Sequence, residues 1–164
     1  MTRQVGKLLK AILILPVNVL IVIPALILFF SDDRRELPSA GTAVLGGLFF
    51  CVGLFLVVST MRLFWKEGLG TPAPWSPPSK LVVEGPYRHV RNPMISGVLF
   101  ILMAEVCFFL NNGVALWFLL FALINAVYIP LVEEKGLEKR FGKSYLIYKE
   151  NVPRWIPRLL PWKG

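Results

Sequence analysis

The sequence predicts an all-α integral membrane protein with about four transmembrane helices. The last two form a helical hairpin, and a cytoplasmic loop and a C-terminal interfacial helix complete the fold. Three observations carry this. Hydrophobic residues make up 55% of 164 positions. Residues 11–30, 42–61 and 113–132 are uncharged runs of twenty, each long enough to cross a hydrocarbon core of about 30 Å. A fourth apolar stretch, residues 94–110, is interrupted only by Glu105. Lipid offers backbone groups no partners, so such spans are helices. One membrane domain over residues 1–164 is expected, with spans near 11–30, 42–64, 94–110 and 113–132.

The first run follows Arg3, Lys7 and Lys10 but is too long for a signal-peptide core and lacks a small-residue cleavage pattern. It reads as a retained helix, bent near Pro16 or Pro24. A short polar connector, residues 31–41, leads to the second span. The loop at 66–93 is rich in Pro and Gly in its first half, which disfavours regular structure there. Its aromatic and apolar residues, Trp75, Tyr87 and Leu81-Val82-Val83, predict that it folds against the membrane face. Asn111-Asn112-Gly113 is a tight turn that forces the last two spans into a hairpin. In the C-terminal segment, residues 133–164, Leu137, Phe141, Tyr145 and Tyr148 share one helical face, with Gly142 a candidate interruption. The tail from Val152 to Trp162 mixes Trp, Pro and Arg, as interfacial segments do.

Net charge is +8, and its distribution reports topology. With the N-terminus and C-terminus cytoplasmic, sixteen Lys and Arg lie inside and only Arg34 and Arg35 outside, a strong positive-inside pattern. The excess points to anionic lipid and away from nucleic acid. Cys51 and Cys107 fall within spans and form no disulfide framework. A single His argues against a His-based metal centre, and no metal is expected.

The hairpin brings the residues before the third span close to those after the fourth. Gly85, Pro86, Tyr87, Arg88, His89, Val90, Arg91, Asn92 and Pro93 should therefore meet Glu133 and Glu134, placing cations, carboxylates, an amide and aromatics at membrane level. The series Gly85-Pro86-Tyr87, Arg91-Asn92-Pro93-Met94, Gly97, Glu133-Glu134, Phe141-Gly142, Tyr145, Val152-Pro153 and Pro157 resembles the membrane methyltransferases that include isoprenylcysteine carboxyl methyltransferases and phospholipid N-methyltransferases. The resemblance spans roughly residues 68–160.

The resemblance implies S-adenosyl-L-methionine as methyl donor and a cytoplasmic cofactor pocket built by Gly85, Pro86, Tyr87, His89, Arg91, Asn92, Pro93, Glu133 and Glu134. Lipophilic acceptors, a membrane lipid or a lipidated substrate, would reach it from the bilayer. Arg91 suits the donor's carboxylate, and Glu133 or Glu134 its hydroxyl or amino groups. Glu134 is the candidate base and Arg140 the candidate partner of an anionic acceptor. Asn125, Tyr128 and Tyr145 are candidate substrate-lining residues. The chain departs from many relatives at Asn92, where His is common though Asn also occurs, and at Ile95, where Tyr is common; these changes leave the fold reading intact and blur the substrate reading.

Each candidate has a plainer reading. Arg88 and Arg91 also suit membrane anchoring, His89 a solvent-facing position, the two glutamates a solvated helix end, and Arg140 a surface ion pair. Asn125 and Tyr128 also suit hydrogen bonding between helices. Glu105, the one ionisable residue within a span, reads as structural or as a neutral buried acid. A small lipid or phospholipid head-group amine is favoured over an isoprenylcysteine carboxylate. The rivals are an NADPH-dependent reductase of the sterol reductase type and a non-enzymatic membrane scaffold.

Overall fold

The computed structural model describes residues 13–31, 37–67 and 80–164, and among them the regular structure is entirely helical. The N-terminal basic residues, residues 32–36 of the first connector and residues 68–79 of the long loop lie outside the described residues.

The first apolar run is a π-helical stretch, Leu13–Val22, passing into α1, Ile23–Phe30. The widened stretch contains Pro16 and ends just before Pro24, the two prolines that the sequence marks as bend sites. In a π register the carbonyl of Val19 looks five residues ahead to Pro24, which has no N–H. The indole Nε1 of Trp117 donates to that carbonyl at 3.1 Å.

Helix α2, Ala40–Glu67, is 28 residues long and packs extensively against α3, Pro93–Phe109. Their crossing is made by two glycines. A Cβ on Gly53 would lie 2.7 Å from the carbonyl oxygen of Gly97, and one on Gly97 would lie 2.9 Å from that of Gly53. The backbones touch because neither residue has a side chain, the usual device for close helix approach in a membrane. Around the crossing Val57, Val98, Ile101 and Leu102 form a core.

α3 ends at Leu110, which takes a left-handed conformation with φ +47°. Asn111 then caps α4, Asn112–Tyr128, by accepting from Val114 N at 3.0 Å. Its amide donates to Ser31 Oγ at 2.8 Å, tying the hairpin turn to the end of α1. Pro130 brings no N–H to the carbonyl of Ala126, and the ladder loosens into a π turn, Ile129–Glu133. Helix α5, Glu134–Phe141, follows. Gly142, at φ +52°, separates it from α6, Lys143–Asn151.

Among the described residues, two continuous helical stretches are long and apolar enough to cross a membrane, Ala40–Phe64 and Asn112–Phe141; Pro16–Phe30 and Pro93–Phe109 are shorter apolar helices. At 1.5 Å per residue a helix over Asn112–Phe141 runs about 45 Å, beyond a hydrocarbon core of about 30 Å. Its uncharged part ends at Val132, so Glu133 and Glu134 are the first charges met along this helix.

Candidate functional site

The site is assembled by the segment before α3, helices α5 and α6, and the tail. Gly85, at φ +52°, opens a single 3-10 turn, Gly85–Arg88. The Tyr87 ring meets Phe64 of α2 edge-on at 6.1 Å, and Tyr148 Oη of α6 donates to the Tyr87 carbonyl at 2.8 Å. Tyr145, Tyr148 and Val152 are buried together, with Leu137, Phe141, Leu81 and Val83 packed on them. The apolar face read across residues 137–148 thus survives the break at Gly142, and it holds the loop.

The tail is laced to the same loop. Arg91 N donates to the Pro153 carbonyl at 2.9 Å, Arg158 N to the His89 carbonyl at 3.0 Å, and Trp162 N to the Arg88 carbonyl at 3.0 Å. His89 Nδ1 lies 2.8 Å from the Arg158 carbonyl. A carbonyl only accepts, so that nitrogen carries the proton. His89 is therefore committed through Nδ1 to holding the tail.

At the centre is Glu134, only 2% exposed. Arg154 donates Nε to its Oε1 at 2.7 Å and Nη2 to its Oε2 at 2.9 Å. Arg91 Nη1 stands 2.9 Å from Oε1, and Lys149 Nζ 3.5 Å from Oε2. Lys149 also donates to Glu138 Oε1 at 2.7 Å. Three cations thus meet two carboxylates, leaving positive charge over. Burial by itself would raise the Glu134 carboxyl, but the Arg154 hydrogen bond and the Arg91, Arg154 and Lys149 charges hold it below the usual carboxylate range. Glu133, whose side chain reaches the surface, is shifted oppositely: partial desolvation, then the adjacent Glu134 charge, raise it. Burial, then the Glu133 charge, push the Tyr87 hydroxyl up. Burial, then Glu134, push Tyr145 up to about 12.

Several buried donors here lack an acceptor. Arg91 lies within ion-pair distance of Glu134, but neither its Nη1 nor its Nε makes a hydrogen bond of acceptable geometry, and Asn92 Nδ2 has no partner. Such groups are costly unless something accepts from them. One turn further on, Ser96 Oγ is also buried without a partner, and Ser96 lines an open apolar cavity of about 400 Å³. Phe49 of α2, Phe100 and Met103 of α3, Phe118, Ala122 and Ala126 of α4, and Trp155 of the tail shape its walls.

The structure brings Tyr87, Arg91, Glu133, Glu134 and Tyr145 together with Gly85, Pro86, Asn92 and Pro93 on the same segment. Arg140 is exposed on α5. Asn125 and Tyr128 do not line the cavity. Phe118, Ala122 and Ala126 recur every four residues on that face, whereas Asn125 donates back to its own helix at Phe121 O, 2.8 Å away, and Tyr128 is 41% exposed. Sequence reasoning missed Arg154 and Lys149 as partners of Glu134; the signal for Arg154 was its place directly after Pro153. Among the described residues no group of three or more His, Cys, Asp or Glu is gathered to hold a metal.

Residues 42–144 match the phospholipid methyltransferase family. The chain is also 36% identical over 76 residues to methanethiol S-methyltransferase 2 of Bradyrhizobium diazoefficiens, a match covering 44% of this chain and 27% of that protein. The chain thus matches about a quarter of that relative's length. No solved structure matches it. The family match takes in α2, α3, α4 and α5, together with the loop that carries Arg91, and on that ground the chain belongs to the phospholipid methyltransferase family.

Proposed function

We propose that this protein transfers the methyl group of S-adenosylmethionine to a small lipophilic acceptor at the membrane surface, with a phospholipid head-group amine as the leading candidate. The observation that carries the reading is the set of partnerless buried donors, Arg91 Nε and Asn92 Nδ2, beside a cluster with surplus positive charge and one turn from an apolar cavity. These donors fit the methionyl carboxylate of the methyl donor, which offers the acceptors they lack. That donor supplies an electrophilic methyl on a sulfonium. The chain's part is to bind, align and exclude water. Topology with both termini cytoplasmic, supported by the distribution of Lys and Arg, puts the site on the side where this donor is made.

An amine acceptor sheds a proton, and so does a thiol. Glu134 suits this poorly, because four contacts from three cations stabilise its charge. Glu133, with raised proton affinity, is the better base. Glu134 instead orients Arg91.

A thiol acceptor is the second reading. It is favoured by the relative named for methanethiol and by a cavity whose polar lining includes little beyond Ser96. The family match leaves the reductase and scaffold readings without an observation of their own.

The test is calorimetric titration of S-adenosylhomocysteine into the purified protein, with Arg91→Lys and Asn92→Ala beside it. Binding by the parent, weakened in both variants, supports the pocket. Absence of binding by a folded parent in detergent and in nanodiscs overturns it. A labelled-methyl assay with phosphatidylethanolamine and with short thiols then separates the two acceptors.

A further inference from the structure

Ile156, Leu159 and Leu160 are 80%, 96% and 76% exposed, on a tail that is not free to move away from them. Its backbone is pinned at Pro153, Arg158 and Trp162 to the segment 88–91, and Arg154 grips Glu134. Trp155 lines the cavity formed by the apolar helices α2, α3 and α4. The residue before the exposed trio is thus already at the depth of the transmembrane bundle. Pro153, Pro157 and Pro161 have no N–H, and Arg158 and Trp162 have theirs paired, which lowers the cost of placing this backbone where water is scarce. Arg158 lies among the apolar trio, with one guanidinium nitrogen donating to the Asn151 carbonyl at the exposed surface; Lys163 follows the trio, and Trp155 and Trp162 flank it. Apolar side chains between aromatics and cations match the chemistry of a lipid head-group region, with anionic phosphates as counter-charges.

We propose that residues 155–163 dock into the leaflet on which the Glu134 site opens, with Ile156, Leu159 and Leu160 in the acyl boundary and Arg158 and Lys163 against anionic phosphates. The docked tail holds Arg154 on Glu134, so the bilayer itself becomes part of what keeps the site assembled. The inference does not depend on the methyl acceptor.

The test uses the full chain with Cys51→Ser and Cys107→Ala, carrying a single spin label at Leu160→Cys or Leu159→Cys. A label at Glu150→Cys, an exposed position of α6, is the aqueous reference. Each is reconstituted in phosphatidylcholine vesicles with and without phosphatidylglycerol. At 159 and 160 the expected result is strong relaxation by oxygen, shielding from a nickel chelate, and deeper shielding with phosphatidylglycerol. Chelate access at both tail sites equal to that at 150 overturns the proposal. So does spin–spin broadening, which would mean that a second copy covers the tail. Depth that ignores phosphatidylglycerol overturns the role of the cations.

Discussion

Arg154 holds Glu134 with both sides of its guanidinium fork, at 2.7 and 2.9 Å, across twenty positions of sequence. A bidentate pair of this kind fixes orientation as well as charge. Here it joins the tail to the helix end that carries the site, and Arg91 joins the same carboxylate from the third side.

Replacing Glu134 by Ala should therefore cost more than an exposed glutamate would. It strands the buried Arg91 and removes the acceptor of Arg154. A loss of about 3 kcal/mol is expected, read as a lowered Tm in detergent, with Glu138→Ala nearly silent by comparison.

Acid should unfold the protein through the same residue. The folded pKa of Glu134 lies below its ordinary value of 4.5, so its contribution is fully present above that value. The contribution is lost as pH falls through the folded pKa. Unfolding temperature followed from pH 7 to 3 should drop steeply below about 4.5, and the drop should be smaller in Glu134→Gln.

Glu133→Gln separates chemistry from structure. With an amine or thiol acceptor, turnover should fall roughly 10²- to 10⁴-fold, while S-adenosylhomocysteine binding and Tm stay near the parent values. The rising acid limb of the rate against pH should flatten in this variant. An unchanged profile would remove Glu133 as base.

The glycine crossing is directly testable. Gly53→Ala and Gly97→Ala each drive a methyl group into backbone less than 3 Å away, and each should destabilise by roughly 1–3 kcal/mol. Gly47→Ala, with nothing within 4 Å, should be neutral or stabilising by up to about 1 kcal/mol. Parallel thermal unfolding of the three variants checks the contrast.

Much of this was legible in the sequence because membrane helices are written in uninterrupted composition. The run at 42–61 became the body of α2, that at 113–132 became α4 and the π turn after it, and the Asn111 turn became the hairpin. The meeting of Arg91 with Glu134 followed from topology alone. Gly97 was visible as part of a pattern, and the structure gives its cause in the contact with Gly53. What remained illegible lies where the chain has no period. The tail pairs through backbone groups of Pro153, Arg158 and Trp162, which any residue type could supply at those positions. Nothing in composition distinguishes the glutamate gripped by Arg154 from its neighbour. The cavity face of α4 is marked by two alanines, small residues that leave a space without announcing it.

The indole of Trp117 reaches the Val19 carbonyl across 98 positions, where Pro24 supplies no N–H. A hydrogen bond left unmade in lipid costs several kcal/mol. The first helix therefore draws a hydrogen bond from α4, a segment far along the chain. The first span is thereby fastened to the hairpin through an indole.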